Sequence, residues 1–209
     1  MSDIIIVGAG GLGLEVASYA EDMRRASKSN SGIKGFLDDT KPVGTQHAGY
    51  PVLGPTDKII SECLYVIAVG APESRQMLAE KLAAKGANFA SIIHPSAHIA
   101  ASAEIGVGTV IAPFVFVGPE ARLGEQCLLN IYASAGHESR MENYCVLSPY
   151  ATIHGASVLG SGAFMGSHAC VTAKIQVGAG ARIAAGSVVY QNIPAGARVM
   201  GNPAAWRNS

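Results

Sequence analysis

The residue pair best suited to acid–base chemistry in this sequence is His137 followed directly by Glu138. A carboxylate beside an imidazole can hold the ring in one tautomer and keep it basic enough to accept a proton. A lone histidine is more often structural, and the chain has five others: His47, His94, His98, His154 and His168. His137 is therefore a candidate general base only if the fold places it outside the core.

A repeat with a period of six residues sets the position of this pair. At every sixth residue from Ile99 to Val189 the chain has a large aliphatic residue or Met, with Ala135 as the exception. This period matches neither the 3.6 of a helix nor the 2 of a strand, but it suits a solenoid of short strands joined by tight corners. Three repeats make one triangular coil of 18 residues, so we predict a left-handed parallel β-helix of hexapeptide repeats over residues 96–209.

The same repeat predicts where the candidate residues lie. His137 comes two positions after the inward Ala135 and is predicted at an outward corner. Gly155 comes one coil later and is predicted to stack over His137, where its backbone N–H could stabilise an oxyanion on an acyl carbonyl. Cys127 and Cys145 are also one coil apart, at inward positions, and are predicted to be free thiols of the core rather than nucleophiles.

The first 95 residues follow a different pattern, in which apolar strands alternate with helices. Strands are predicted over 3–7, 33–37, 64–69 and 89–93, and helices over 14–26 and 72–85. This alternation indicates an α/β unit with a small Rossmann-like parallel sheet. We therefore predict two domains, residues 1–95 and residues 96–209.

A glycine-rich loop lies between the first strand and the first helix. Gly8, Gly10 and Gly13 fit the spacing G-x-G-x-x-G, and Gly11 is a further glycine of the loop. Such a loop brings backbone N–H groups and a helix N-terminus to a phosphate. The sheet has too few strands for two mononucleotide halves, so a nucleoside diphosphate suits the loop as well as NAD does. Asp38 and Asp39 end the second strand and either contact this ligand or begin a turn.

Composition argues against several classes of protein. Lys+Arg and Asp+Glu both number 15, so the formal net charge is zero, and neither a nucleic-acid groove nor a membrane-surface patch is expected. No apolar run is long enough for a membrane span and the first residues do not resemble a secretory signal, so we expect a cytoplasmic protein. The four Cys show no CxxC pairing, and neither a metal site nor a disulfide framework is expected.

Several motifs in a fixed order point to a known family. The order is G-A-G-G-x-G from Gly8, I-H-P-S-A from Ile93, Asn130, Gly136-His137-Glu138, and Gly201-Asn202-Pro203-Ala204 near the end. This order resembles bacterial nucleotide-sugar acetyltransferases, which include UDP-4-amino-sugar N-acetyltransferases and relatives described as sialic acid O-acetyltransferases. The resemblance covers essentially the whole chain.

The resemblance implies roles for the residues in the repeats. His137 matches the family's catalytic base, Glu138 its partner, and Gly155 the residue whose amide faces the acetyl group of acetyl-CoA. The resemblance also implies homotrimers with CoA between adjacent solenoids, and a role in surface polysaccharide biosynthesis.

The resemblance further places Asn130 near the sugar, and assigns the glycine loop with Asp38 and Asp39 to a nucleotide-sugar site in residues 1–95. Two positions depart from the family. Leu12 stands where many members have His in the loop, and Val146 stands where many have a second His near the acetyl group. These departures leave open which sugar nucleotide and which acyl donor the site accepts.

The resulting hypothesis is transfer of an acetyl group from acetyl-CoA to the amino group of a nucleotide-linked sugar. O-acetylation of a sugar hydroxyl on the same fold is an alternative within the enzyme class. Two alternatives from other classes are a non-catalytic solenoid scaffold and an NAD-dependent oxidoreductase that uses the glycine loop. The scaffold predicts no loss of rate on His137→Ala, and the oxidoreductase predicts NADH binding at the loop.

Overall fold

The computed structural model describes residues 2–28 and 31–207, and its N-terminal unit is a sheet with strand order β3-β4-β2-β1-β5-β6. The strands are β1 (Asp3–Val7), β2 (Ile33–Leu37), β3 (Gln46–His47), β4 (Tyr50–Gly54), β5 (Cys63–Ile67) and β6 (Asn88–Phe89). The helices are α1 (Gly11–Ser27) and α2 (Pro72–Ala83). These strands pair in parallel apart from β3 with β4, which confirms the predicted Rossmann-like unit.

Alternate residues of β1 face the two helices. Ile4 and Ile6 share a core with α1, while Ile5 and Val7 share one with α2. A strand that is covered on both faces needs apolar residues at every position, which is why β1 is a continuous apolar run. In this arrangement the carboxyl ends of the parallel strands meet at one edge, and the glycine loop follows β1 at that edge.

From Ile92 onward the chain forms a three-sided parallel β-solenoid. The first side consists of β7 (Ile92–Ile93), β10 (Val110–Ile111), β13 (Leu128–Leu129), β16 (Val146–Leu147), β19 (Phe164–Met165) and β22 (Arg182–Ile183). The second side consists of β8 (His98–Ile99), β11 (Phe116–Val117), β14 (Ser134–Ala135), β17 (Thr152–Ile153), β20 (Cys170–Val171) and β23 (Val188–Val189). The third side consists of β9 (Glu104–Ile105), β12 (Arg122–Leu123), β15 (Arg140–Met141), β18 (Val158–Leu159) and β21 (Gln176–Val177).

The register of the solenoid follows the six-residue repeat without interruption. Each strand pairs with the strand one coil later, as Leu129 does with Leu147. The second residue of each strand points inward, and Ile111, Leu129 and Leu147 are fully buried. Ala135 occupies an inward position and is also fully buried. The predicted solenoid of hexapeptide repeats is therefore confirmed.

The structure divides the strand that the sequence predicts over 89–93. β6 ends at Phe89 and pairs with β5 in the N-terminal sheet, whereas β7 starts at Ile92 and pairs with β10 in the solenoid. The chain passes from one sheet to the other between these two residues. The sequence could not show this division because Phe89 to Ile93 reads as one mostly apolar run and contains no turn residue such as Gly or Pro.

The corner between the first and second sides carries a stack of aromatic rings, one from each of successive coils. Neighbouring ring centroids lie 4.9, 4.9 and 4.7 Å apart along the series Phe114, Tyr132, Tyr150 and His168. Each of these residues has a positive φ, which is uncommon for a bulky side chain. Contacts between the parallel rings offset part of the cost of this conformation.

The N-terminal unit packs on the first side of the solenoid. Helix α1 contacts β7, and Glu73 of α2 pairs with Arg182 of β22. The outward residues Val110, Leu128 and Val146 of the first side are buried in the same apolar cluster as residues of α1. The first side therefore lies inside the chain, while the second and third sides lie on its surface.

The last described residues extend the first side of the solenoid. Strand β24 (Arg198–Gly201) pairs in parallel with β22 and antiparallel with β25 (Ala204–Arg207). Along residues 2–28 and 31–207, no helix has the length and apolar character that crossing a membrane requires.

Candidate active site

The glycine loop of the N-terminal unit is shaped by a close approach of its backbone. An ideal Cβ at Gly13 would lie 2.3 Å from the carbonyl oxygen of Gly8, so no side chain fits there. At Gly10 and Gly11 a Cβ would meet nothing within 4 Å. Helix α1 begins at Gly11, and Gly10 is an N-cap without a side chain, so the first N–H groups of α1 have no side-chain cap. This end of α1 can receive an anionic group such as a phosphate.

Asp38 is tied to the glycine loop by a hydrogen bond. Its Oδ2 accepts from the N–H of Ala9 at 2.8 Å, and its Oδ1 accepts from the N–H and hydroxyl of Thr40 and the N–H of Lys41. Burial raises the pKa of Asp38, but the hydrogen bonds from Thr40, Ala9 and Lys41 outweigh it and lower the pKa to about 2. The carboxylate is therefore charged at neutral pH, and it both begins a turn and holds the loop.

Two further residues support this edge of the sheet. Both oxygens of Asp39 accept hydrogen bonds from Thr56, each at 2.8 Å, so this carboxylate fixes the turn after β4. His47 was not predicted as part of this edge. Its Nε2 lies 3.2 Å from the carbonyl oxygen of Gly10, and its ring meets the Phe36 ring edge-on. No local motif marks His47, because its contact with the loop arises only when β3 and β4 fold back over it.

His137 and Glu138 lie at the corner between the second and third sides. The Nδ1 of His137 is 2.9 Å from Oε2 of Glu138. Their side chains are 65% and 59% exposed, so the predicted outward position is confirmed. With Nδ1 bound to the carboxylate, Nε2 is the ring nitrogen that remains available to exchange a proton.

The ring of His137 lies against Gly155 of the next coil, as the register predicts. An ideal Cβ at Gly155 would lie 2.3 Å from Nε2 and 2.4 Å from Cε1 of His137, so only glycine accommodates the ring in this position. Gly155 is buried, and its N–H donates to no acceptor within residues 2–28 and 31–207. An unpaired buried N–H is costly, and here it is a donor suited to a ligand oxygen.

The thiols do not form a second nucleophilic site. Cys127 and Cys145 are buried and free, as predicted. Cys170 lies 3.4 Å from Nε2 of His154, but burial raises the pKa of this thiol and so disfavours the reactive thiolate. Within the described part of the chain, no group of three or more His, Cys, Asp or Glu residues could hold a metal ion.

The remaining candidate residues lie away from this corner. Asn130 is at the corner between the first and second sides, where its Oδ1 accepts from the N–H of the following residue at 2.7 Å. Val146 is buried on the first side. Leu12 packs partly against the core, with Cδ2 3.9 Å from an ideal Cβ at Gly70. Within one chain, therefore, neither Asn130 nor Val146 is brought to His137.

The two halves of the candidate site are also separated within one chain. The N-terminal unit, which carries the glycine loop, packs on the first side of the solenoid. His137 lies at the corner between the second and third sides, opposite the first. Within one chain, therefore, the glycine loop and His137 lie on opposite sides of the solenoid.

Comparisons with known proteins match both halves of the chain. The family described as PglD N-terminal domain matches residues 3–82. A UDP-N-acetylbacillosamine N-acetyltransferase from Bacillus subtilis is 35% identical over 115 residues, which are 53% of this chain and 51% of that protein. The match to this curated relative thus spans about half of its length.

Solved structures cover the chain more completely. The acetyltransferase domain of PglB from Neisseria gonorrhoeae is 30% identical with a TM-score of 0.91, over 99% of this chain and 100% of that chain. The chain belongs to the nucleotide-sugar N-acetyltransferase family of hexapeptide-repeat proteins.

Relatives within this acyltransferase family have been solved with ligands. The PglB domain has also been solved in complex with acetyl coenzyme A. A variant of perosamine N-acetyltransferase from Caulobacter crescentus, in complex with CoA and GDP-perosamine, is 25% identical with a TM-score of 0.90. That match covers 100% of this chain and 98% of the other, so the family likeness includes both the sheet unit and the solenoid.

Proposed function

We propose that the protein transfers the acetyl group of acetyl-CoA to the amino group of a nucleotide-linked amino sugar. In this proposal His137 is the general base, Glu138 orients it, and the N–H of Gly155 binds the acetyl carbonyl oxygen. The observation that carries the proposal is the contact between the His137 ring and Gly155, because it combines an available Nε2 with an unpaired N–H donor. Acyl transfer is accelerated when a general base and an oxyanion donor act at the same carbonyl group.

The reaction follows from these roles. The amine nitrogen attacks the thioester carbonyl carbon while Nε2 of His137 takes the amine proton. The N–H of Gly155 stabilises the negative charge that develops on the carbonyl oxygen. The carbon–sulfur bond then breaks, the CoA thiolate takes the proton from His137, and an amide and a free thiol are released. Glu138 keeps a proton on Nδ1 and stabilises the imidazolium that forms between the two steps.

We assign the nucleotide part of the substrate to the glycine loop. Gly10 and Gly11 leave open space in front of the N-terminus of α1, and Gly8 and Gly13 give the loop its tight shape. An anionic diphosphate suits this space because the helix dipole and the free N–H groups favour negative charge. The relatives support this assignment, since one of them is solved with GDP-perosamine and another is named for a UDP-linked sugar.

The acidic residues and Asn130 complete the assignment. Asp38 holds the N–H of Ala9 in the loop, and Asp39 holds the adjoining turn through Thr56. We therefore give both acids a role in shaping the nucleotide site. Asn130 lies at a different corner from His137, and its proposed contact with the sugar requires a second copy of the chain.

We further propose that the working form is a homotrimer whose sites lie between subunits. The loop and His137 lie on opposite sides of the solenoid in one chain, so we propose that a site that uses both takes the loop from one copy and the base from the next. The three-sided solenoid has two surface sides that can meet neighbouring copies. Each copy then contributes to two sites, once through its loop and once through His137.

A substrate panel tests the proposed function. UDP-, dTDP- and GDP-linked amino sugars are incubated with acetyl-CoA, and release of free thiol is followed, with the matching hydroxyl sugars as controls. We expect thiol release with at least one nucleotide-linked amino sugar, and mass spectrometry should place the acetyl group on nitrogen. Acetylation of the hydroxyl sugars would support the O-acetyltransferase alternative, and acetylation of a free sugar alone would remove the nucleotide from the proposal.

A further inference from the structure

A fully buried arginine joins the two units of the chain. Arg75 of α2 has no exposed surface, and its guanidinium donates hydrogen bonds to backbone carbonyls of both units. In the N-terminal unit Nη1 donates to the carbonyl of Ile67 at 2.8 Å and to that of Val69 at 3.1 Å. In the solenoid Nε donates to Gln126 at 2.6 Å and Nη2 to Cys127 at 3.4 Å.

The charge of Arg75 is not neutralised by a carboxylate. Among the residues that the structure describes, its hydrogen-bond acceptors are carbonyl oxygens, and it makes no ion pair. Burial lowers the pKa of Arg75 to about 10, so the group remains charged at neutral pH. A cation that is buried among neutral dipoles keeps a positive field that acts over a distance in a low-dielectric interior. An apolar side chain could join the two units at a lower desolvation cost, so packing between the units does not by itself require a charged residue at this position.

The segment that Arg75 holds is also a wall of the glycine loop. The carbonyl oxygen of Ala68 is 2.8 Å from an ideal Cβ at Gly8, and the N–H of Ala68 donates to Val7 at 2.8 Å. The Cδ2 atom of Leu12, in the loop, lies 3.9 Å from the position of an ideal Cβ at Gly70. Residues 68–70 therefore lie against the loop, and Arg75 bonds the carbonyl oxygens of Ile67 and Val69 in the same stretch of chain.

We propose that Arg75 is a positioning residue for the nucleotide half of the site. It fixes residues 68–70 against the glycine loop, and its guanidinium, which has no carboxylate partner among the described residues, favours a nucleoside diphosphate bound there. This inference rests on the proposed function, because the ligand is the diphosphate part of the nucleotide sugar. Arg75 acts through the carbonyls that it holds and through its field, without touching the ligand.

The test compares Arg75→Gln, which removes the charge but keeps a hydrogen-bond donor, with Arg75→Lys, which keeps the charge but cannot span the carbonyls. Binding of UDP, GDP and acetyl-CoA to the full chain is measured by calorimetry, after circular dichroism has shown that each variant is folded. We expect the Kd of the bound nucleotide to rise about tenfold in Arg75→Gln and about threefold in Arg75→Lys. The Kd of acetyl-CoA should stay within about twofold of the wild-type value. This measurement is a control, because a general loss of structure would weaken the binding of both ligands alike.

Arg182→Gln is the matched control, because it removes the exposed ion pair with Glu73 that also joins the two units. We expect this variant to bind nucleotide and acetyl-CoA as the wild type does. Wild-type nucleotide affinity in a folded Arg75→Gln would overturn the inference. Should that variant fail to fold, wild-type nucleotide affinity in Arg75→Lys would overturn the positioning role. A wild-type protein that binds neither UDP nor GDP would instead show that the nucleotide assignment of the proposed function is wrong.

Discussion

Substitution of Gly155 by Ala tests whether the position of the His137 ring limits the reaction. The new Cβ would lie 2.3 Å from Nε2 and 2.4 Å from Cε1 of His137, whereas ordinary contacts begin at 3.4 Å. The ring must therefore move by about 1 Å to restore normal contact distances. A displacement of about 1 Å in a catalytic group can cost about 10²-fold in rate, so we expect kcat to fall by about this factor.

The fold should tolerate this substitution. The His137 side chain is 65% exposed, so the ring can turn outward without leaving a cavity. We expect the free energy of unfolding to change by less than about 1 kcal/mol. Alanine keeps the backbone N–H, so the variant moves the base without removing the proposed oxyanion donor. The assay is kcat from thiol release at saturating acetyl-CoA and nucleotide sugar, with thermal unfolding measured in parallel.

His137→Ala provides the background that isolates the effect. Without the imidazole there is no ring to displace, so Gly155→Ala should lower kcat no further in that variant. Two results would refute the reasoning. One is a kcat for Gly155→Ala within about threefold of wild type, and the other is an equal loss with and without the His137 side chain.

Four further outcomes are expected. His137→Ala alone should lower kcat by about 10²-fold or more, and a retained rate would contradict a general-base role. Gly10→Val puts a side chain into the open loop and should raise the KM of the nucleotide sugar about tenfold but not that of acetyl-CoA. Gly32→Val is the control, because an added Cβ there would likewise meet no described atom within 4 Å, and it should change neither KM. Two chains, one carrying His137→Ala and the other Gly10→Val, are refolded together in equal amounts. If each site takes its loop and its base from different chains, up to about a quarter of the sites should have both residues intact and be active at low nucleotide-sugar concentration. No recovery of activity would place the loop and the base of one site in the same subunit. Asp38→Asn should lower the melting temperature at neutral pH. The pKa of Asp38 is about 2 in the folded protein, below its unfolded value. The difference in melting temperature between wild type and Asp38→Asn should therefore shrink as the pH falls from about 4 towards 2. A difference in melting temperature that does not change with pH would contradict the stabilising role of the Asp38 carboxylate.

The solenoid is the part of the fold that the sequence predicts best, because each coil repeats the same physical requirement. A large residue must fill each side and a small one must fit near each corner, so the register can be counted from Ile99 onward. The outward position of His137, its contact with Gly155 and the burial of Cys127 all follow from that count. Local strand and glycine patterns likewise predict the N-terminal sheet and its loop.

The contacts between the two units could not be predicted in the same way. Arg75 lies in a helix whose sequence has no unusual feature, and its acceptor Gln126 is 51 residues away. His47 reaches Gly10 across 37 residues through a hairpin that no motif marks. Such contacts depend on how complete elements pack, and a single sequence carries no local signal of that packing.

The stacking of coils also limits how this chain can change in length. Insertion of one six-residue repeat between His137 and Gly155 would keep every inward side chain inward, so the core would tolerate it. Every later coil, however, would turn by one side of the triangle, and Gly155 would move to a different corner from His137. Arg182 would likewise leave the side that faces Glu73. Only insertions or deletions of 18 residues, the spacing of paired strands, restore every column at once. The inward core therefore permits changes in steps of six residues, whereas the contacts between the two units and the proposed reaction permit them only in steps of a whole coil.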